Sequence, residues 1–218
     1  MTLCTIIGMG PGIGLSVAKR FAKEGFDIFM IARSSQHLQQ YSHFLKAEYP
    51  IKSSSFVADA GEFKQLESAL TQIKNSNNPI DVLVYNAAVL KKTDLLSLTP
   101  QEFMAHYQVN VGGALVAVQQ VIPDMEKRGR GTILFTGGGF ANQPSPNYVS
   151  LSIGKAALQN LALNLAKEYE PKGIHVAIVN IYGKVQSGTA YDPQLIAQQY
   201  WQLHTQAPQN WQREVHIK

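Results

Sequence analysis

The sequence predicts an α/β protein: a single doubly wound parallel sheet of six to seven strands with helices on both faces. Short, continuously apolar runs alternate with longer stretches of helical period along all 218 residues. Strands that are apolar throughout are typical of parallel sheets, whose two faces are both covered, and right-handed crossovers place the helices there. No linker, repeat or low-complexity segment interrupts this alternation, so we predict a single domain over residues 1–218.

Each element follows from its local pattern. The predicted strands are residues 3–8, 27–32, 54–58, 80–85, 131–136 and 175–181, with a short edge strand at 215–217. The predicted helices are residues 13–24, 36–49, 62–75, 100–126, 147–170 and 193–204. Pro100 suits the first turn of the long fourth helix, and Thr99 before it is the expected N-cap.

Composition and charge exclude several classes of protein. The 19 basic and 15 acidic residues are spread along the chain, which gives no nucleic-acid signal. The single cysteine, Cys4, allows no disulfide within one chain, as expected for a reducing cytoplasm. The first apolar run has no basic region before it, so we interpret it as a strand and not as a signal peptide. Residues 109–122 are too short for a membrane span and include Gln119 and Gln120.

A glycine-rich loop joins the first strand to the first helix. It contains Gly8, Gly10, Gly12 and Gly14, and the helix begins at Ile13. Glycine permits a tight turn and a close approach to a pyrophosphate, which then rests on the amides of the helix N-terminus. The loop therefore predicts a dinucleotide site, and the alternative is a tight turn without a ligand.

The spacing Gly8-x-x-x-Gly12-Ile13-Gly14 resembles the fingerprint of the short-chain dehydrogenase/reductase family, with Ile7 in place of the usual threonine. Over the chain from Leu3 to about Thr189, this resemblance implies a Rossmann fold and an NAD(P)-dependent oxidoreductase acting on a carbonyl or alcohol.

Three further motifs carry the same resemblance. Asp59, after the third strand, resembles the family's adenine contact. Asn86 and Ala87, in Asn86-Ala87-Ala88, resemble the Asn-Ala-Gly motif near the ribose. Asn110 resembles the family's structural and proton-relay asparagine.

The end of the second strand indicates which dinucleotide is preferred. An acidic residue there would bind both ribose hydroxyls and repel a 2′-phosphate, but this chain has Arg33, Ser34 and Ser35. A planar cation beside hydroxyls suits a phosphate, so NADP is favoured over NAD. The alternative is that Arg33 is simply solvated at a strand end.

The segment Leu151-Ser152-Ile153-Gly154-Lys155-Ala156-Ala157-Leu158 resembles the family's Tyr-Ser-Ala-Ser-Lys-Ala-Ala-Leu. The resemblance implies that Lys155 holds the nicotinamide ribose. Leu151 stands where the proton-donating tyrosine is expected. Thirteen residues earlier, Gly138 stands where the family has a serine that polarises the substrate oxygen. Asn110 and Lys155 remain, while two catalytic hydroxyls are absent.

Other side chains are candidates to replace those hydroxyls. Tyr148 shares a helix face with Leu151 and Lys155 if the helix extends that far, and it is otherwise a pocket-wall or capping aromatic. Thr136 is a second candidate hydroxyl. Tyr182, where the family usually has proline, is either a further proton donor or a packing substitute.

The remaining aromatic and imidazole side chains give weaker signals. His106 is predicted to be a pocket residue or to lie at a subunit contact, and Trp201 and Trp211 to cover the substrate side or a partner subunit. The six histidines have no metal-ligand spacing, and His37 and His43 are expected at the surface.

The leading hypothesis is an NADP-dependent oxidoreductase with an atypical active site and a small-molecule substrate, its proton supplied by a water relay or by Tyr148. The alternative is a catalytically inactive dinucleotide-binding sensor or structural partner subunit. The resemblance also implies a homodimer or homotetramer.

Overall fold

The computed structural model describes residues 2–75 and 79–218, and its centre is a parallel sheet of seven strands. The strands are β1 (Leu3–Ile7), β2 (Asp27–Ala32), β3 (Ser53–Val57), β4 (Val82–Tyr85), β5 (Gly131–Thr136), β6 (Ile174–Ile181) and β7 (Glu214–Ile217). Their order is β3-β2-β1-β4-β5-β6-β7, and every neighbouring pair is parallel. The predicted doubly wound sheet is confirmed. Its strand order reverses between β1 and β4, where such sheets bind ligands.

Two helical layers cover the sheet. The helices are α1 (Ile13–Lys23), α2 (Ser35–Glu48), α3 (Phe63–Asn75), α4 (Pro100–Tyr107), α5 (Gly113–Arg128), α6 (Val149–Tyr169) and α7 (Pro193–Thr205). Alternate strand residues enter opposite layers: Ile6 packs with α1, α2 and α7, while Ile7 packs with α3, α5 and α6. Because both sides of each central strand are buried, these strands need apolar residues at every position. No helix within the described ranges is long and apolar enough to cross a membrane.

The predicted long helix at 100–126 is interrupted, which corrects that prediction. Thr99 is the N-cap, as predicted, and its hydroxyl accepts from the Glu102 amide at 3.1 Å. A π-helical turn then spans Gln108–Gly112 between α4 and α5. The Tyr85 hydroxyl donates to the Val109 carbonyl in this turn at 2.5 Å. Such turns occur often at functional sites, and this one contains Asn110.

The start of α6 corrects a second prediction. The helix begins at Val149, and Tyr148 is its N-cap with φ −138° and ψ 45°. Tyr148 therefore lies outside the helix, and helical spacing does not place it on one face with Leu151 and Lys155. The pairing of β7 with β6 confirms the short edge strand.

Candidate active site

A cleft of about 1560 Å³ opens at the carboxyl ends of the central strands, across the point where the strand order reverses. Most residues predicted for the site line it. They are Gly8, Gly10, Gly12, Ile13, Arg33, Ser34, Asp59, Asn86, Ala87, Tyr148 and Lys155. Gly14 and Asn110 are absent from the lining, so any role they have is exerted from behind the cleft wall.

Two glycines of the first loop are required by packing. Gly8 has φ +87°, and a Cβ on it would overlap the Ala87 backbone nitrogen. The Asn86 side-chain amide donates to the Gly8 carbonyl at 2.8 Å. A Cβ on Gly14 would lie 3.2 Å from the Gly8 carbonyl oxygen. This part of the loop is thus held against the residues that follow β4.

The other two glycines face open space. A Cβ on Gly10 would meet nothing within 4 Å, and one on Gly12 would meet only Val185 Cγ1, at 4.0 Å. Gly12 is the N-cap of α1, whose first turn has no acidic side chain. The positive end of the helix dipole is therefore available to an anion in the cleft.

A cationic cluster lies beyond the end of β2. The Arg33 side chain is 80% exposed, and its Nη1 is 3.8 Å from the Asp59 carboxylate. Ser34 is the N-cap of α2, with its hydroxyl oxygen accepting from the His37 amide at 3.3 Å. His37 was expected simply at the surface; it is exposed, but it also lines the cleft. No local sequence signal predicted this, because Arg33 lies before the start of α2 and helical spacing does not relate the two side chains.

Asp59 is held in place from the loop side of the cleft. Its Oδ1 accepts from the Gly61 amide at 2.8 Å, while its own amide donates to Gln65 at 3.0 Å.

Lys155 lies at the opposite end of the cleft and is buried. Its Nζ donates to the Thr136 carbonyl at 2.6 Å. Burial lowers the pKa of the Lys155 ammonium from 10.5 to about 8, because the charged form is poorly solvated there. The Thr136 carbonyl accepts from one of the three N–H groups of the Lys155 ammonium, so the other two remain for a ligand.

The Thr136 hydroxyl is already committed. It donates to Asn86 Oδ1 at 2.8 Å and lies 2.7 Å from the Tyr200 hydroxyl. Because a hydroxyl has a single proton, the Tyr200 hydroxyl must be the donor in the second bond. These bonds hold Asn86, which in turn holds Gly8. Because the single proton of the Thr136 hydroxyl is already donated to Asn86, Thr136 is a poor replacement for the catalytic acid.

Asn110 supports the cleft from behind. Its Oδ1 accepts from the Val89 amide at 2.8 Å, which anchors the loop after β4. Its buried Nδ2 has no hydrogen-bond partner in the described part of the chain. A Cβ on Gly154 would lie 2.8 Å from Asn110 Cβ, so Gly154 is what allows α6 to pack this close.

Leu151 and Gly138 border Lys155. Leu151 lies one helical turn before Lys155, is 2% exposed and lines the cleft. Gly138 has an extended backbone with φ −170°, and a Cβ on it would lie 3.5 Å from Lys155 Cγ. That is ordinary van der Waals contact, so a small side chain fits at Gly138.

The tyrosines nearby are oriented by other contacts. The Tyr148 ring stacks on Phe140, with centroids 5.3 Å apart and planes 22° apart. The Tyr182 ring covers Gly139, and its hydroxyl accepts from Asn142 Nδ2 at 3.1 Å and lies 3.1 Å from His216 Nδ1. These bonds favour the packing interpretation of Tyr182.

Several other predicted residues lie outside the cleft. His106 bonds Ser150 Oγ through Nδ1 at 2.9 Å and joins α4 to α6, so the prediction of a pocket residue is wrong. Trp201 packs on Phe21, and Trp211 stacks on His175, so neither covers the substrate side. No cluster of three metal-ligating side chains occurs within residues 2–75 and 79–218.

Comparisons with known proteins give a consistent result. The sequence model of the short chain dehydrogenase family matches residues 2–191. A pig protein, dehydrogenase/reductase SDR family member 4, is 30% identical over 166 residues, covering 76% of this chain and 59% of its own length. The chain spans less than two thirds of the length of the curated relatives it matches.

Two solved structures have the same fold. A short-chain dehydrogenase from Rhodopseudomonas palustris superposes with a TM-score of 0.90 at 25% identity, covering 100% of this chain and 98% of the other. A metagenomic short-chain oxidoreductase in complex with NADP gives 0.91 at 24% identity, covering 99% and 96%.

Proposed function

The chain belongs to the short-chain dehydrogenase family, and on this premise we propose that it is an NADP-dependent oxidoreductase acting on a carbonyl or alcohol. One observation carries the proposal: a single cleft joins the open glycine loop and exposed Arg33 at one end to buried Lys155 at the other. Arg33 and the helix N-terminus suit the phosphate groups of a dinucleotide, and Lys155 offers N–H donors to the hydroxyls of the ribose at the other end.

The residues present fit this cofactor. Gly10 and Gly12 leave room for a pyrophosphate at the N-terminus of α1, beginning at Ile13. Asp59 is placed for the adenine end. We assign Asn86, Ala87 and Lys155 to the nicotinamide ribose; all three line the cleft, and Lys155 has N–H groups to spare. When bound, the nicotinamide supplies or accepts a hydride.

The preference for NADP depends on Arg33. Its guanidinium is largely exposed, and its ion pair with Asp59 is long at 3.8 Å. Such a pair is worth little, so the guanidinium can turn to a 2′-phosphate. The Ser34 hydroxyl accepts a capping bond and keeps its own proton to donate.

We further propose that the active site is atypical. Leu151 and Gly138 offer no hydroxyl beside Lys155, and the hydroxyls of Thr136 and Tyr182 are bound elsewhere. Lys155 and Asn110 then position the ribose and a water relay, and water on that relay supplies the proton. Tyr148 is the second candidate donor, although its place as N-cap of α6 gives it no helical alignment with Lys155.

A catalytically inactive sensor or partner subunit is the alternative, and the loss of both hydroxyls is the observation that favours it. Under either function we propose a single cytoplasmic domain that forms homodimers or homotetramers. The exposed apolar side chains Leu115 and Ile153 on α5 and α6 support the assembly.

Titration of the purified protein with NADPH and NADH, followed by fluorescence, tests the cofactor. We expect Arg33→Ala to weaken NADPH binding by about tenfold, because a charge-assisted bond to phosphate is lost, and to leave NADH binding unchanged. Lys46→Ala on α2 is the matched control, since Lys46 is an exposed cation outside the cleft. Failure of both nucleotides to bind would contradict the proposal.

Turnover separates the two functions. A panel of carbonyl compounds is assayed for loss of NADPH. Turnover supports the oxidoreductase, whereas tight NADPH binding without turnover of any compound favours the sensor or partner subunit.

A further inference from the structure

We propose that the Lys155 end of the cleft binds a flat, apolar, conjugated carbonyl compound of the quinone class. This inference rests on the proposed function and deepens it by naming the substrate class. It depends on three observations: an aromatic pair in the wall, the apolar Leu151 side chain at this end of the cleft, and the lack of a hydroxyl at Leu151 and Gly138.

The aromatic pair is formed by Phe140 and Tyr148. Both residues line the cleft, and the stacking holds the two rings together, which leaves the outer face of the stack for a ligand. Phe140 lies in a single 3-10 turn, Gly139–Ala141, and Tyr148 caps α6, so two separate backbone anchors hold the pair. A second flat ring gains stacking energy on such a surface that a puckered saturated ring does not.

Leu151 and Gly138 also line the cleft at this end, and neither has a polar side chain. Leu151 is almost fully buried, and Gly138 presents only backbone. On the outer side, Leu90 lines the mouth with 75% of its surface exposed. Lys91, also at the mouth, is held by the Glu102 carboxylate and is not a free cation for an anionic substrate.

The lack of a hydroxyl at Leu151 and at Gly138 favours some flat carbonyl compounds over others. Hydride addition to a simple ketone gives an alkoxide, a strong base that needs a proton as it forms. Transfer of the hydride to one carbonyl oxygen of a quinone forms the first O–H bond and gives the monoanion of a hydroquinone, whose second oxygen is a phenolate with a conjugate acid of pKa ~10, as in tyrosine. This anion is stable without an adjacent acid and takes its proton from water afterwards.

The overall reaction balances. Quinone, NADPH and one proton give hydroquinone and NADP⁺, so the quinone gains two electrons and two hydrogens. One hydrogen arrives as the hydride and the other comes from solvent. A site that has lost two hydroxyls therefore retains this reaction while losing most of the ketone reaction.

Three probes of similar size separate flatness from acidity. A naphthoquinone is flat and gives a phenolate, tetralone has one flat aromatic ring and gives an alkoxide, and decalone is puckered throughout and gives an alkoxide. Calorimetric titration of each into the protein, with NADP⁺ and without nucleotide, measures binding without turnover. We expect the naphthoquinone and tetralone to bind about tenfold more tightly than decalone. Equal affinity of all three would overturn the stacking site.

Variants assign the binding to the aromatic pair. Phe140→Ala should weaken naphthoquinone binding about five- to tenfold, while Tyr148→Phe keeps the ring and should leave affinity unchanged. Phe44→Ala is the control, because Phe44 is a partly exposed phenylalanine on α2, outside the cleft. If Phe140→Ala has no more effect than Phe44→Ala, the proposal is wrong.

Turnover tests the second half of the inference. With NADPH, we expect kcat/KM for the naphthoquinone to exceed that for tetralone by about 100-fold or more, after subtraction of the protein-free rate. Comparable values for the two would overturn the quinone class. If neither nucleotide binds, the proposed function fails by itself, and the titrations without nucleotide still decide whether the stacking site exists.

Discussion

Two glycine runs lie at the same edge of the sheet, Gly8–Gly14 after β1 and Gly137–Gly139 after β5, and one glycine from each, Gly8 and Gly138, serves a different purpose. In the first run, Gly8 is required because its φ is positive and the Ala87 backbone packs against it. In the second run, Gly138 has an extended backbone and room for a side chain. A glycine in a sequence thus reports either close backbone packing or a missing side chain, and only the neighbouring atoms distinguish the two.

The two ends of the cleft differ in the same way. At the glycine-loop end, backbone groups and a helix N-terminus form a site that needs few specific side chains. At the Lys155 end, chemistry depends on individual hydroxyls, and Leu151 and Gly138 supply none. The two ends of the cleft therefore depend on different kinds of chemical group.

The largest effect is expected within the first run. Gly8→Ala should lower the free energy of unfolding by about 3 kcal/mol or more. An alanine there would be strained by the positive φ, and its Cβ would also overlap the Ala87 backbone. Gly10→Ala should change it by less than about 0.5 kcal/mol, because its Cβ meets nothing. Urea denaturation of the nucleotide-free protein measures both, and similar losses in the two variants would remove the distinction.

In the second run, the predicted effect of substitution is a change in catalytic activity. The double variant Gly138→Ser with Leu151→Tyr restores both absent hydroxyls, and we expect it to raise kcat/KM for tetralone by about 100-fold. Gly139→Ser with Leu151→Tyr is the matched control. A Cβ on Gly139 would lie 2.6 Å from Tyr182 Cδ1, so the hydroxyl is added at a position where the packing opposes it. No gain from the first pair would count against a latent site and against the alignment of Leu151 and Gly138.

A smaller effect concerns Lys155 and pH. The unfolded chain keeps this ammonium protonated up to about pH 10.5, whereas the folded protein releases the proton near pH 8. The unfolded state binds more protons between these values, so this group makes stability rise with pH across that window, by about 2 kcal/mol from pH 7 to 10.

Denaturant titrations of wild type and Lys155→Met at both pH values isolate this contribution. Burial raises the pKa of the Cys4 thiol and of the Tyr85 and Tyr200 hydroxyls, which lowers stability at high pH in both proteins alike. The difference in unfolding free energy, wild type minus Lys155→Met, should therefore increase from pH 7 to pH 10. A difference that does not depend on pH would show that Lys155 is not desolvated.

Most of the fold could be predicted because its signals are local. Apolar runs at β1, β2, β4, β5 and β6 need no knowledge of their partners, since both faces of each strand are covered. The break between α4 and α5 could not be predicted, because it depends on Tyr85 reaching the Val109 carbonyl from a distant strand. The start of α6 at Val149 was missed for a similar reason: Tyr148 stacks on Phe140 and leaves the helix.

The sequence by itself determined the doubly wound sheet, the glycine loop at its first turn, and the identity of the side chains beside Lys155, because these depend on residue type and short-range spacing. Only the tertiary structure decided which side chains are available to a ligand. Thr136 and Tyr182 have hydroxyls near the site, but bonds to Asn86 and Asn142 occupy them, while His37 and Phe140 entered the cleft with no local signal. The physical reason is that hydrogen bonds and stacking between distant segments form only once the chain has folded.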